Sequence, residues 1–189
     1  MRELSLNILD IAKNSVRAGA SVIQIGIEED RAACTLRITI KDNGCGMDAE
    51  TAARVTEPFY TTRTTRKVGL GLPFFKMEAE MTGGTLTLQS RSGEGTAVSA
   101  LFHTDHVDCL PLGDVGATMQ TLVGGSPDID FVLEHRLTES DGEKREMLFD
   151  TKEIKAVLGE DIPLDTPEIL AWIGDYITEQ YSGLYGSKT

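Results

Sequence analysis

Three cysteines, three histidines and one tryptophan are all that 189 residues contain of these types, and no apolar run approaches the ~18 residues that a membrane-spanning helix needs. Cys34, Cys45 and Cys109 are odd in number and scattered, which excludes a disulfide framework and fits a reducing compartment. The N-terminal run MRELSLNILDIAKNS is broken by charges and amides. It offers neither an apolar signal core nor a small-residue cleavage site, so the expected location is the cytoplasm, away from any membrane. No repeat and no low-complexity tract is present.

Charge is short of balance in one half alone. Residues 1–103 carry 12 Lys+Arg against 12 Asp+Glu, whereas residues 104–189 carry 6 against 18 and so hold the whole net charge of -12. The step suggests two regions with different roles and a boundary near residue 105. An acidic surface repels a phosphate backbone, which argues against nucleic acid as a partner.

Periodicity supplies the elements. Residues 3–18 read as a helix ended by Ala18-Gly19-Ala20, and residues 21–28 and 34–40 alternate as half-buried strands. Residues 48–55 read as a short helix capped by Asp48, residues 57–68 as a loop, and residues 69–81 as a helix broken by Gly83-Gly84. Residues 85–89 and 96–102 form a hairpin across residues 92–95. Beyond His103, a short helix lies between Gly113 and Gly125. Strands at 129–137 and 145–149 are joined by the hairpin signal Asp141-Gly142, and helices follow at 151–158 and 166–180. This tail could be a small subdomain, or it could add to the first region's sheet.

Four segments carry chemistry. Asn7, Asp10, Asn14 and Arg17 are spaced 3, 4 and 3 apart, on one helical face. Such a stripe suits either a solvated face or a metal-phosphate site, with amide and carboxylate oxygens for a hard cation and a guanidinium for phosphate. Asp42-Asn43-Gly44-Cys45-Gly46-Met47 follows a strand. Its glycines allow a sharp turn close to a ligand, and Asp42 can accept from an exocyclic amine. Gly69-Leu70-Gly71-Leu72 opens a helix whose N–H groups could face phosphate, behind a run of hydroxyls and the cations Arg63, Arg66 and Lys67 that could close as a lid. Gly93-Glu94-Gly95-Thr96 opens a strand.

In this order and spacing the segments resemble the Bergerat-fold (GHKL) ATPases, the family of sensor histidine kinases, anti-sigma serine kinases, type II topoisomerases and MutL. DIAKNS is similar to the N-box, DNGCGM to the first glycine box, EPFYTT to the F-box, GLGL to the second glycine box and GEGT to the last. The resemblance covers residues 1 to about 103 and implies an ATP-binding domain at 1–104, with an acidic α+β region of unknown role at 105–189. The implied fold is a two-layer α/β sandwich, a mixed sheet with helices on one face. The implied cofactors are ATP and Mg²⁺, the metal held by Asn14 with Asp10. Asp42 and Thr96 would flank the adenine. Gly44, Gly46, Met47, Phe59, Thr62, Arg63, Gly69, Leu70, Gly71 and Leu72 would complete the nucleotide site. Asp10 would orient water or a protein hydroxyl, with Arg17, Arg63 and Lys67 stabilising transferring charge.

Position 10 holds Asp where the family's hydrolases carry Glu, Lys67 stands where the second glycine box begins with Gly, and Pro73 follows that box. Few residues precede Asn14, so the phosphoacceptor helices of sensor kinases are expected to be missing and the acceptor to be a separate partner protein. A nucleotide-sensing regulator without turnover is the alternative function. His103, His106 and Cys109 recur at three-residue intervals, but no second cluster completes four metal ligands. Trp172, with Ile169, Ile173 and Ile177, marks a core or partner-facing helix stripe.

Overall fold

The computed structural model describes residues 3–57, 71–159 and 162–186. The first helix, α1 (Leu4–Arg17), buries Leu4, Ile8, Ile11, Ala12 and Ser15, the stripe that 3.6-residue periodicity sets. It ends where Gly19 takes a φ of 72°, a left-handed exit open to glycine at little cost. Strands β1 (Val22–Asp30) and β2 (Thr35–Asp42) follow, then α2 (Ala49–Arg54), whose first turn is capped by Asp48 accepting from Thr51 N. Helix α3 (Gly71–Met81) follows. The hairpin β3 (Thr85–Arg91) and β4 (Gly95–His103) completes the first region.

Residues beyond 105 give α4 (Val115–Gly125), β5 (Asp130–Thr138), β6 (Lys144–Asp150), α5 (Thr151–Leu158) and α6 (Pro167–Tyr185). They continue the sheet of the first region. The strand order is β3-β4-β2-β1-β5-β6, antiparallel throughout except that β5 runs parallel to β1. One face is apolar: Ile23, Ile25, Ile27, Ile38, Ile40, Phe102, Phe131, Leu133 and Phe149 are buried on it. Gln24, Glu28, Arg37 and Lys41, which alternate with them, are exposed. The helices lie over the apolar face, α3 fixing its place through Phe75 against Phe102 at 5.5 Å between ring centroids. Each such buried side chain contributes about 1.5–3 kcal/mol. The fold class is the expected one, a mixed sheet with one helical layer.

The second region also completes α1. The first-turn N–H groups of Leu4 and Ser5 donate to Pro111 O at 3.0 Å and Leu112 O at 2.8 Å, which satisfies donors that a helix start leaves orphaned. Helix α6 is anchored by His135 on β5, wholly buried, whose Nδ1 meets the Tyr181 hydroxyl at 3.2 Å. Tyr185, stacked on Tyr181, donates its hydroxyl to Glu29 Oε2 on β1 at 2.9 Å. Ile173 and Ile177 are buried, and Trp172 is half exposed, stacked on Tyr176 at 5.3 Å.

Candidate functional site

Asp42 ends β2, paired with Ile23 of β1 on one side and Thr96 of β4 on the other. Asp42 is buried at this end of the sheet. Oδ2 accepts from Ser15 Oγ at 2.6 Å; Oδ1 accepts from Gly44 N at 2.9 Å and Thr96 N at 3.2 Å. An ionised carboxylate offers about four acceptor positions, so three protein donors orient it and leave room for one more.

The glycine segment after Asp42 is tied down at every turn. Asn43 Oδ1 accepts from Ser21 N and Val22 N, both at 2.9 Å, and Cys45 N donates to Ala18 O at 2.8 Å. Gly46 has a φ of 62°, and a β-carbon there would stand 1.9 Å from Arg91 O. At Gly44 it would stand 2.8 Å from Ala18 O. Here glycine is a condition for the end of α1, the glycine segment and the β3–β4 turn to touch. Met47 N donates to Ser90 Oγ at 2.8 Å, and Ser90 Oγ meets Thr96 Oγ1 at 2.9 Å. Asp42, Gly44, Gly46, Met47 and Thr96 are therefore one connected cluster.

The second part of the site lies along α1. Asp10, Asn14 and Arg17 are exposed on one side, and Arg17 Nη1 donates to Asn14 Oδ1 at 2.9 Å. Gly71, the first described residue of α3, lies beside Asp10: a β-carbon at Gly71 would be 3.5 Å from Asp10 Oδ2. Leu72 turns inward and is buried. The structure thus brings the N-box face and the end of the second glycine box together. Phe59, Thr62, Arg63, Lys67, Gly69 and Leu70 lie outside the described residues.

Two residues differ from the sequence reading. Asn7, placed on the same stripe as Asp10, is buried against Glu78 of α3. Ser15 was passed over; the cue available was its place on the apolar stripe with Ile8, Ile11 and Ala12, where a buried hydroxyl demands a partner. Among the described residues, no three or more His, Cys, Asp or Glu side chains gather as a metal-binding group. His106 Nδ1 accepts instead from Asp108 N at 3.2 Å. No helix among the described residues is long and apolar enough to cross a membrane.

Similar proteins are known from several bacteria. The chain is 38% identical over 95 residues to the sensor protein kinase FleS of Pseudomonas aeruginosa, covering 50% of this chain and 23% of that protein. It is 32% identical over 114 residues to the non-motile and phage-resistance protein of Caulobacter vibrioides, covering 57% and 14%. It is 30% identical over 100 residues to sporulation kinase C of Bacillus subtilis, covering 53% and 23%. The chain therefore spans less than a quarter of the length of these relatives. Among solved structures, the N-terminal domain of a DNA repair protein shares the fold, with a TM-score of 0.52 at 18% identity, over 85% of this chain and 58% of that one. Residues 1–106 match the family described as histidine kinase-, DNA gyrase B- and HSP90-like ATPases, and the chain belongs to that family.

Proposed function

We propose that this chain binds ATP with Mg²⁺ and acts as a histidine-kinase-like kinase or slow ATPase on a separate partner protein. The observation that carries the reading is Asp42. A carboxylate held at the end of a sheet by Ser15, Gly44 and Thr96, with one acceptor position to spare, is suited to accept from the exocyclic amine of adenine. From there Asn14 and Asp10 lie along α1 toward the first turn of α3, the direction in which a triphosphate would extend. Helix N-termini favour phosphate through their unpaired N–H groups.

The residues also fit the metal. Asn14 and Asp10 supply two exposed oxygen-bearing side chains one helical turn apart, a hard donor set suited to Mg²⁺, which keeps its remaining places for water and phosphate. Bound there, the cation would neutralise phosphate charge. Arg17, which now donates to Asn14, is one turn from the same face and can exchange that bond for a phosphate oxygen. Arg63 and Lys67 belong to the same proposal as lid cations. Asp10 orients water or a protein hydroxyl toward the terminal phosphate.

A nucleotide-sensing regulator is the second reading, favoured by position 10, where the shorter Asp carboxylate sits against Gly71. Calorimetric titration with ATP, with and without Mg²⁺, tests the shared claim, and steady-state phosphate release separates the two readings. Saturable binding strengthened by Mg²⁺ supports the proposal. Absence of binding at millimolar ATP contradicts it.

A further inference from the structure

Asn7 shares its side of α1 with Asp10 and Asn14, yet it is wholly buried where those two are exposed. Its side-chain N–H donates to Glu78 Oε2 on α3. The amide has one sensible orientation here, because turning its carbonyl to the carboxylate would set acceptor against acceptor. Asn7 Oδ1 therefore faces elsewhere and is buried without a hydrogen-bond partner among the described residues. An apolar side chain at position 7 would fill the same space without an unsatisfied oxygen, so packing alone gives no reason for a buried amide there.

Helices α1 and α3 meet at two heights. Asp10 lies beside Gly71 of α3, while Asn7 meets Glu78, seven residues further along. One contact leaves two helices free to rock; two contacts fix the angle between them. A hydrogen bond fixes it more narrowly than an apolar contact, because it has a direction and a short range of length.

We propose that Asn7 and Glu78 are positioning residues: their hydrogen bond sets the tilt of α3 against α1, and with it the gap between the Asp10–Asn14 face and the first turn of α3 that selects ATP over ADP. This rests on the nucleotide reading of the site above. The terminal phosphate is the one group that ATP adds to ADP, and it would lie beside the Asp10–Asn14 face where α3 approaches it. The pair touches neither nucleotide nor metal and acts through the helices.

Calorimetry with ATP and with ADP, each with Mg²⁺, on the full chain tests this, with thermal melts of every variant. Asn7→Leu/Glu78→Leu removes the bond and replaces the pair by apolar side chains of similar volume, and its melt shows whether it is folded. Its preference for ATP over ADP is predicted to fall by about fivefold or more, the size of a modest coupling between sites. Asn7→Ala is predicted to show the same fall with a lower melting temperature. Glu78→Gln, which still accepts from Asn7, is predicted to keep the parent's ratio. A parent-like ratio in either folded variant that lacks the bond overturns the proposal, and so does a Glu78→Gln ratio that falls as far as theirs. The parent titration reports separately on the site, since a parent that binds no ATP contradicts the nucleotide reading itself.

Discussion

Ser15 on α1 donates its hydroxyl to Asp42 Oδ2 on β2 at 2.6 Å, so the last turn of the first helix and the end of the second strand are joined through a carboxylate. Both side chains are buried, and the acceptor is charged. Removing a donor from such a bond costs about 1.5–3 kcal/mol. Ser15→Ala is therefore expected to lower unfolding stability by that amount in urea titration and to weaken adenine-nucleotide binding by a smaller factor. A variant as stable as the parent would mean that Asp42 is held by Gly44 and Thr96 alone.

Gly46 and Gly142 make a matched pair of tests. Both have positive φ, 62° and 88°, but a β-carbon at Gly46 would strike Arg91 O at 1.9 Å, while at Gly142 it would meet nothing within 4 Å. Gly142→Ala is expected to cost roughly 1 kcal/mol, the penalty of the left-handed conformation. Gly46→Ala adds a backbone collision and is expected to cost several times as much. Thermal melts of the two variants check this, and equal losses would mean that the glycine segment moves aside freely.

Much of this was legible in the sequence, and the failures have physical causes. Alternation marked β1 and β2, and Asp141-Gly142 marked the β5–β6 hairpin, because those signals are local. The parallel pairing of β1 with β5 joins Val22 to Asp130 across a hundred residues, and no local pattern encodes it. The acidic tail is therefore readable as strands and helices, while the sequence leaves open whether it forms a small subdomain or adds to the first region's sheet. Asn7 and Asp10 share a helical face, and spacing cannot tell which of them dips beneath α3. Glu78 on α3 decides that, at a separation of 71 residues.

The pH dependence of stability carries a signature of His135. Burial pushes its imidazole down to about 4, from an ordinary 6.5. The unfolded chain takes up this proton near pH 6.5, while the folded chain resists it until near pH 4. The stabilisation is therefore present above pH 6.5 and is lost as pH falls through that window. The full loss is about 3 kcal/mol. Tyr181 and Glu29, the polar groups facing the ring, stay in place in His135→Leu. Urea unfolding between pH 7.5 and 4.5 should show a shallower fall for that variant than for the parent. Parallel curves would contradict the buried neutral histidine.

Asp10 decides turnover in the proposed function. A base must reach its water at about 2.6–3.2 Å, and a carboxylate one methylene short of Glu reaches less far. Slow phosphate release is expected from the parent. Asp10→Glu is expected to raise it, and Asp10→Asn to abolish it with ATP affinity nearly intact. If Asp10→Asn hydrolyses ATP as fast as the parent, Asp10 is no base and the regulator reading gains. If it loses ATP binding altogether, Asp10 acts chiefly through the metal or the fold and not as a base.

The most direct test of the central claim is the affinity of Asp42→Asn for ATP, measured by calorimetry beside the parent, with a thermal melt to show that the variant is folded. Exchanging the charged acceptor for an amide should cost about 1.5–3 kcal/mol, a weakening of roughly tenfold or more. A folded Asp42→Asn that binds ATP as tightly as the parent would contradict the assignment of Asp42 to the adenine, and with it the nucleotide site built around that carboxylate.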